Sequence, residues 1–252
     1  MGTVISLTLP LQAGGHRPVE DEHRAATAVV EQLFAGLDEI FSLYRPESEA
    51  SRLARGEITL RDASAVMRRL YAEAANWRLE TEGAFNPERP DGVLDLSGIV
   101  KGYAIQEAGT SLLALGLDDW CLNAGGDVLV NGSPLPGTGS SWQAGIVDPG
   151  DRRTLIAGHP IGGPSSRRAL ATSGSAERGD HIWAARSGGA LPAVEFTQVS
   201  VAAADIVTAD VLATAIVAGG LTMLDRAADG WDIDVLAVRS GGELLATPGF
   251  RH

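Results

Sequence analysis

The sequence predicts an α+β fold, built as a single unit over residues 1–252. Helical periodicity dominates the first half of the chain, and short strand-like segments dominate the second half. One apolar helical segment comes late, after most of the strands. Because helices and strands do not alternate, a doubly wound α/β sheet is not expected. We expect helices, mainly from the first half, that pack on an antiparallel or mixed sheet.

The helices are indicated by apolar residues that recur three and four positions apart. A helix N-cap is expected at Asp62, and Gly116 is expected to end the third helix. The expected helices cover residues 21–44, 62–81, 97–115, 205–218 and 221–228.

The strands are indicated by alternating or short apolar runs between turn residues. The last two are expected to form a hairpin that turns at Gly241-Gly242. The expected strands cover residues 3–9, 120–123, 128–130, 142–147, 154–158, 169–172, 181–184, 197–203, 235–238 and 243–246.

Composition excludes several classes of protein. Hydrophobic residues make up 44% of the 252 residues and charged residues 21%, as in globular proteins. The net charge of −12 argues against a nucleic-acid partner. No stretch approaches the ~18 apolar residues of a membrane span, so no transmembrane segment is expected. No signal peptide or lipidation motif precedes the first strand. We therefore expect a cytoplasmic protein, or an exported one whose leader has been removed.

The common signatures of nucleotide and hydrolase sites are missing from the sequence. There is no phosphate-binding loop ending in Gly-Lys-Ser/Thr, no Gly-x-Gly-x-x-Gly after the first strand, and no Gly-x-Ser-x-Gly elbow. The five histidines show no zinc spacing, and the single cysteine, Cys121, cannot form an intrachain disulfide. Any function must therefore come from other groups of residues.

The only lysine, Lys101, follows Asp95 and Gly98 at the expected start of the third helix. A helix N-terminus offers unbonded N–H groups and partial positive charge, and a lysine adds a full charge, so the segment is a candidate anion site. The alternative is a structural helix start with a solvated lysine.

A candidate metal site lies on the late helix. Asp210 and Thr214 are four residues apart, so a helix stacks them on one face among apolar neighbours. Carboxylate and hydroxyl oxygens are ligands that suit magnesium. The alternative is an ordinary helix in which Asp210 caps the end or faces solvent.

Three further segments carry weaker signals. Tyr44 precedes a polar turn and could stack on a ring system, unless it only ends a helix before a solvated loop. Gly125-Gly126 allows a tight turn before Asp127. His181 follows the small polar residues at 172–174, although a lone histidine is more often structural than catalytic.

Taken together and in order, these segments resemble the FAD:protein FMN transferases, the ApbE family. The resemblance covers the chain from residue 1 to about residue 220. The matching blocks are Met1-Gly2-Thr3, Tyr44 with Ser48-Glu49 and Ser51-Arg52-Leu53, Gly83 to Asn86, Asp95 with Lys101-Gly102-Tyr103, Asn123 to Asp127, Trp142 with Gly145 to Pro149, Thr172-Ser173-Gly174, His181-Ile182, and Ala209-Asp210 with Ala213-Thr214.

The resemblance implies transfer of FMN from FAD to a Ser or Thr hydroxyl of a target flavoprotein subunit, with Mg²⁺ bound and AMP released. It implies that Gly98 (through its carbonyl), Asp210 and Thr214 hold the metal, and that His181 assists deprotonation of the acceptor hydroxyl. It leaves the oligomeric state open. The residues implied to bind FAD are Met1, Tyr44, Ala84, Phe85, Asn86, Asp95, Lys101 and Trp183.

Three positions depart from the family pattern. Asn86 stands where the family usually has Asp, and Gln106 replaces a common acid. After His181-Ile182, the usual Asp-Pro is replaced by Trp183-Ala184-Ala185. The departures at Asn86 and Trp183 leave open an FAD-binding protein without catalysis. Because some family members hydrolyse FAD, the resemblance also leaves open an FAD pyrophosphatase that gives FMN and AMP.

Overall fold

The structure, a computed structural model, describes residues 3–11, 20–174 and 195–250. The described chain contains five α-helices and nine β-strands. The helices are α1 (Glu20–Phe41), α2 (Glu49–Ala54), α3 (Ala65–Glu80), α4 (Ser97–Ala114) and α5 (Ile206–Gly230). The strands are β1 (Ile5–Thr8), β2 (Trp120–Ala124), β3 (Asp127–Asn131), β4 (Trp142–Val147), β5 (Leu155–Ile161), β6 (Ala169–Gly174), β7 (Phe196–Ala203), β8 (Asp234–Arg239) and β9 (Leu244–Ala246).

Seven of these strands form one sheet in the order β1-β2-β3-β6-β7-β8-β9, and every neighbouring pair is antiparallel. Strands β4 and β5 pair separately as a two-stranded ribbon. The expected α+β class is confirmed. Of the two sheet types left open by the sequence, the described strands form the antiparallel one.

The seven-stranded sheet is covered on both faces. Helices α4 and α5 pack on one face, and the β4–β5 ribbon packs on the other. Along β7, Val199 and Val201 belong to the core on the helix side, while Ala202 belongs to the core under the ribbon. This double burial explains why the central strands have apolar residues at successive positions.

The close approach of α4 and α5 depends on a glycine. A Cβ on Gly102 would lie 3.2 Å from Val207 Cα and 3.3 Å from the Ile206 carbonyl oxygen. Real Cβ atoms are rarely so crowded by backbone, so only glycine fits here without displacing a helix. The contact brings the turn of α4 that carries Lys101 beside the first turns of α5.

The structure corrects several expected boundaries. Helix α2 was not expected, because its six residues are too few to show a helical period. Helix α3 begins later than expected: its N-cap is Ser64, whose hydroxyl accepts the Met67 N–H. Asp62 is therefore not the cap, and its carboxylate instead accepts hydrogen bonds from Thr59. The strand expected over 181–184 lies outside the described residues.

The two late helices join into α5, which is interrupted at Gly220, where φ is 63° and ψ is −152°. By length and composition alone, α5 could cross a membrane, which corrects the expectation that no segment is apolar enough. However, 56% of its most apolar window is buried inside the structure. Core helices pass the same test, so this is weak evidence for a membrane span.

Candidate active site

The predicted lysine lies between two buried carboxylates. Lys101 Nζ forms an ion pair with Asp127 Oδ2 and lies 3.6 Å from Asp210 Oδ1. The lysine side chain is 16% exposed, and both carboxylates are fully buried. The alternatives of a solvated lysine and of a capping or solvent-facing Asp210 are therefore wrong. The N-cap of α5 is Asp205, whose carboxylate accepts the Thr208 N–H.

Asp210 also contacts the backbone of α4. Its Oδ2 accepts a hydrogen bond from the Gly102 N–H at 3.2 Å. In a regular α-helix that N–H points to the carbonyl four residues earlier, which belongs to Gly98. Asp210 therefore contacts the first two turns of α4, which also carry Gly98.

A tight turn places Asp127 beside Lys101 and Asp210, and these three residues are called the cluster below. Gly125 and Gly126 have φ of 65° and 97°, a left-handed conformation that favours glycine. The turn pairs Ala124 with Asp127, and Asn123 Oδ1 accepts the Gly126 N–H at 2.9 Å. Because side chains alternate along a strand, Asp127 shares the helix-side face of β3 with the core residue Leu129.

Strand β6 contacts both Asp127 and Thr214, the third predicted metal ligand. Asp127 Oδ1 accepts the Thr172 N–H at 3.0 Å. The next residue, Ser173, is buried, and its hydroxyl oxygen lies 3.0 Å from the Thr214 hydroxyl oxygen. Thr214 follows Asp210 by one turn of α5, so this strand and this helix fix its side chain next to the carboxylate.

The segment 84–86 packs against the same two helices. Phe85 is buried, and its Cε2 lies 3.1 Å from where a Cβ on Gly98 would be. The Ala84 Cβ lies 3.2 Å from the position that a Cβ on Gly219 of α5 would take. Asn86 Oδ1 accepts the Glu88 N–H at 3.1 Å. The sequence-predicted FAD segment therefore lies at the start of α4.

Asp95 lies immediately before α4. Its Oδ1 accepts the Ser97 N–H at 2.9 Å, so a carboxylate already faces the first turn of this helix. The N-cap residue, Leu96, makes no side-chain capping bond. The carboxylate is stabilised there by the helix dipole, and the anion-binding role of this end of α4 stays a prediction.

Tyr44 and Tyr103 occupy different surroundings. Tyr44 lies between α1 and α2, is 85% exposed, and could stack on a ring. Tyr103, from the Lys-Gly-Tyr block, instead contacts α3: its hydroxyl is bonded by Arg69, whose guanidinium carbon lies 5.0 Å from the ring centroid. Burial raises the pKa of Tyr103 above its ordinary value. Tyr103 therefore joins α4 to α3.

Three predicted site residues, Met1, His181 and Trp183, lie outside the described residues. The roles that the sequence assigns to them, FAD contact for Met1 and Trp183 and proton removal by His181, stay predictions.

The residues present fit a hard divalent cation. Among the described residues, two buried carboxylates and one ammonium lie together here. Within residues 3–11, 20–174 and 195–250, no group of three or more His, Cys, Asp or Glu side chains could hold a metal ion. The donor set would instead be Asp210, Thr214 and the Gly98 carbonyl, and magnesium commonly combines so few protein oxygens with substrate phosphates.

Sequence reasoning missed Asp127 and Ser173 as site residues. A signal for Asp127 was available: it follows two glycines directly after a strand, where a tight turn can direct a carboxylate inward. Ser173 lies in the matching block Thr172-Ser173-Gly174, but its contact with Thr214 depends on the distance between β6 and α5, which the block does not indicate.

Comparison with known proteins identifies the family. The sequence profile of the ApbE family matches residues 1–89 and 88–236. The chain belongs to the ApbE family. A search of curated proteins found no match.

Solved ApbE structures share this fold. The flavin transferase ApbE from Vibrio cholerae is 20% identical, with a TM-score of 0.72 over 100% of this chain and 96% of that one. The ApbE protein from Thermotoga maritima is 19% identical, with a TM-score of 0.74 over 99% and 98%. The flavinyl transferase ApbE from Pseudomonas stutzeri is 20% identical, with a TM-score of 0.71 over 98% and 95%.

Proposed function

We propose that this ApbE-family protein transfers FMN from FAD to a Ser or Thr hydroxyl of a target flavoprotein subunit and releases AMP, with Mg²⁺ required. The observation that carries the proposal is the buried cluster of Lys101, Asp127 and Asp210 beside Thr214. A lysine and a hard-oxygen donor set at one point suit a pyrophosphate that binds together with a metal ion.

The names of the structural neighbours support the same reaction class. The proteins from Vibrio cholerae and Pseudomonas stutzeri are named flavin or flavinyl transferases. Their likeness to this chain is one of fold, so the assignment of activity depends on family membership together with the residues of the cluster.

The reaction exchanges one phosphorus–oxygen bond for another. The acceptor hydroxyl oxygen attacks the phosphorus of the FMN half of FAD, the bond from that phosphorus to the bridging oxygen breaks, and AMP leaves with that oxygen. The hydroxyl proton is released, with His181 as the predicted acceptor. Magnesium, when bound, would neutralise charge on the pyrophosphate and polarise its phosphorus.

The residues of the chain contribute mainly positioning and charge. Lys101 would face pyrophosphate oxygens, where negative charge develops during transfer. Asp210, Thr214 and the Gly98 carbonyl would hold the metal, and the first turn of α4 would add partial positive charge. The predicted FAD-binding residues Tyr44, Ala84, Phe85, Asn86 and Asp95 would line the rest of the dinucleotide.

The test incubates the protein with FAD, Mg²⁺ and candidate flavoprotein subunits, each beside a copy whose acceptor Ser or Thr is replaced by Ala. The expected result is flavin fluorescence on the unmodified subunit after denaturing electrophoresis, with AMP released in equal amount and no labelling in EDTA. Free FMN and AMP without labelled subunit would instead identify an FAD pyrophosphatase. FAD that is bound but stays intact with Mg²⁺ would identify a binding protein without catalysis.

A further inference from the structure

We infer that Asp127 is a positioning residue that holds the Lys101 ammonium away from Asp210, so that the Asp210 carboxylate stays available to a divalent cation. The inference extends the proposed function to a residue outside the predicted metal and FAD sets. It rests on the proposed function for the metal site itself, in which Asp210 binds Mg²⁺.

The first step of the argument is the asymmetry of the two contacts of Lys101. Its ammonium forms the close ion pair with Asp127, whereas Asp210 Oδ1 lies 3.6 Å away, near the outer limit of an ion pair. Both carboxylates are fully buried. A buried charge is costly unless it is paired, and Lys101 makes its closer pair with Asp127.

The second step is the rigidity of Asp127. Its Oδ1 accepts the Thr172 N–H at 3.0 Å, and its backbone leaves the Gly125-Gly126 turn in register with Ala124. One oxygen is therefore fixed by β6, and the other remains for Lys101. A carboxylate anchored in this way holds a flexible lysine side chain in one position.

The third step is competition for Asp210. Its Oδ2 already accepts the Gly102 N–H at 3.2 Å, so Oδ1 is the oxygen nearer to Lys101. Without the charge on Asp127, Lys101 would be drawn onto Asp210 and would neutralise the carboxylate that a cation needs. Lys101 and the cation would then compete for one oxygen pair, and cation affinity would fall.

The test measures Mg²⁺ binding by calorimetry on the protein alone and with inorganic pyrophosphate present, without FAD and without turnover. The variant Asp127→Asn keeps the shape of the side chain and the amide oxygen that can accept the Thr172 N–H. Substitution of groups that orient metal ligands typically costs 10- to 100-fold in metal affinity. We expect Asp127→Asn to raise the Kd for Mg²⁺ by about 10-fold or more, within that range.

The deciding arm is the double variant Asp127→Asn with Lys101→Met, which removes the competing ammonium. Mg²⁺ affinity should return to within about threefold of wild type, although FAD turnover should not recover because the lysine is gone. A merely structural role for Asp127 predicts the opposite, since a second core substitution would weaken binding further. Asp119→Asn is the matched control: Asp119 also accepts a backbone N–H, from Ser133 at 2.7 Å, and should leave the Kd unchanged.

Wild-type affinity in Asp127→Asn would overturn the inference, and so would a double variant that binds Mg²⁺ no better than Asp127→Asn. If Asp127→Asn proves unfolded by circular dichroism, Asp127→Glu tests the same point, because it keeps the charge and should bind Mg²⁺ more tightly than Asp127→Ala. If wild type binds Mg²⁺ but does not cleave FAD, the proposed reaction fails while the role of Asp127 is still decided by these Kd values. A wild-type protein that binds no divalent cation, either alone or with pyrophosphate present, would overturn both.

Discussion

The Gly102 N–H of α4 donates a hydrogen bond to the buried Asp210 carboxylate of α5, across 108 positions of sequence. A carboxylate buried without partners would be costly, so this bond and the nearby Lys101 stabilise its charge. The same contact puts the predicted metal ligand Asp210 next to the turn of α4 that begins at Gly98. Helix packing and candidate chemistry therefore depend on the same few atoms.

Replacement of Asp210 by Asn is expected to abolish Mg²⁺-dependent FAD turnover, because the carboxylate is the only charged member of the proposed metal set. The measurement is AMP release at saturating FAD over a Mg²⁺ titration. Asp205→Asn is the control on the same helix: Asp205 caps α5, asparagine caps about as well as aspartate, and turnover should stay unchanged. Full activity of the Asp210 variant would refute the metal assignment.

Replacement of Gly102 by Ala is expected to lower the free energy of unfolding by about 1–3 kcal/mol, because the added methyl group meets the backbone of α5 at 3.2–3.3 Å. Turnover should fall as well, since α5 carries Asp210. Urea denaturation measures the first effect and AMP release the second.

Gly36→Ala provides the matched control for Gly102→Ala. Gly36 lies inside α1, and a Cβ there would meet no atom within 4 Å. The exchange should stabilise the protein by about 0.5–1 kcal/mol, since alanine favours helices over glycine. If Gly102→Ala and Gly36→Ala were equally stable, close packing against α5 would not explain why position 102 is glycine.

Replacement of Ser173 by Ala is expected to raise the Mg²⁺ concentration needed for half-maximal turnover by several-fold, because the Thr214 hydroxyl loses the partner at 3.0 Å that orients it. Ser200→Ala is the control. Ser200 is equally buried, but its hydroxyl lies 2.8 Å from the Thr172 hydroxyl instead. Ser200→Ala should lower the free energy of unfolding by about 1 kcal/mol and leave the Mg²⁺ dependence of turnover unchanged.

Replacement of Lys101 by Ala is expected to weaken FAD binding by about 10- to 100-fold, the range for a lost hydrogen bond to a charged group. Lys101→Arg should not restore wild-type binding, because a wide planar guanidinium replaces a compact ammonium between two buried carboxylates. Flavin fluorescence quenching in EDTA measures the affinity. Wild-type affinity and turnover in Lys101→Ala would contradict the anion-site assignment.

Cys121 is expected to react slowly with iodoacetamide near pH 8, because burial raises the pKa of its thiol from about 9 to about 11. Because the pKa of the thiol is higher in the folded state than in the unfolded state, its contribution to the free energy of unfolding is complete below pH 9. That contribution is lost as the pH rises toward 11. Labelling followed by mass spectrometry, with urea-unfolded protein as the reference, checks the prediction. Equal rates in both states would refute it.

The sequence alone was sufficient for the fold class and for most elements. Long periodic segments such as α1 and α4, and short apolar runs such as β4, carry their own signal, because side-chain spacing repeats with the backbone geometry. It failed at α2, which is too short to show a period, and at the start of α3, where Asp62 was expected as the cap but Ser64 caps the helix instead.

In the candidate site, the sequence likewise indicated some features, and only the tertiary structure showed the others. Residue type and helical spacing picked out Lys101, Asp210 and Thr214 from the sequence, since a carboxylate, a hydroxyl and a lone lysine are chemically distinctive. Only the tertiary structure decided that Lys101 pairs with Asp127 and that Ser173 holds Thr214. These contacts join α4, β3, β6 and α5, and their distances are set by how helices pack on a sheet. No local pattern encodes such a distance, because it arises from packing between distant segments.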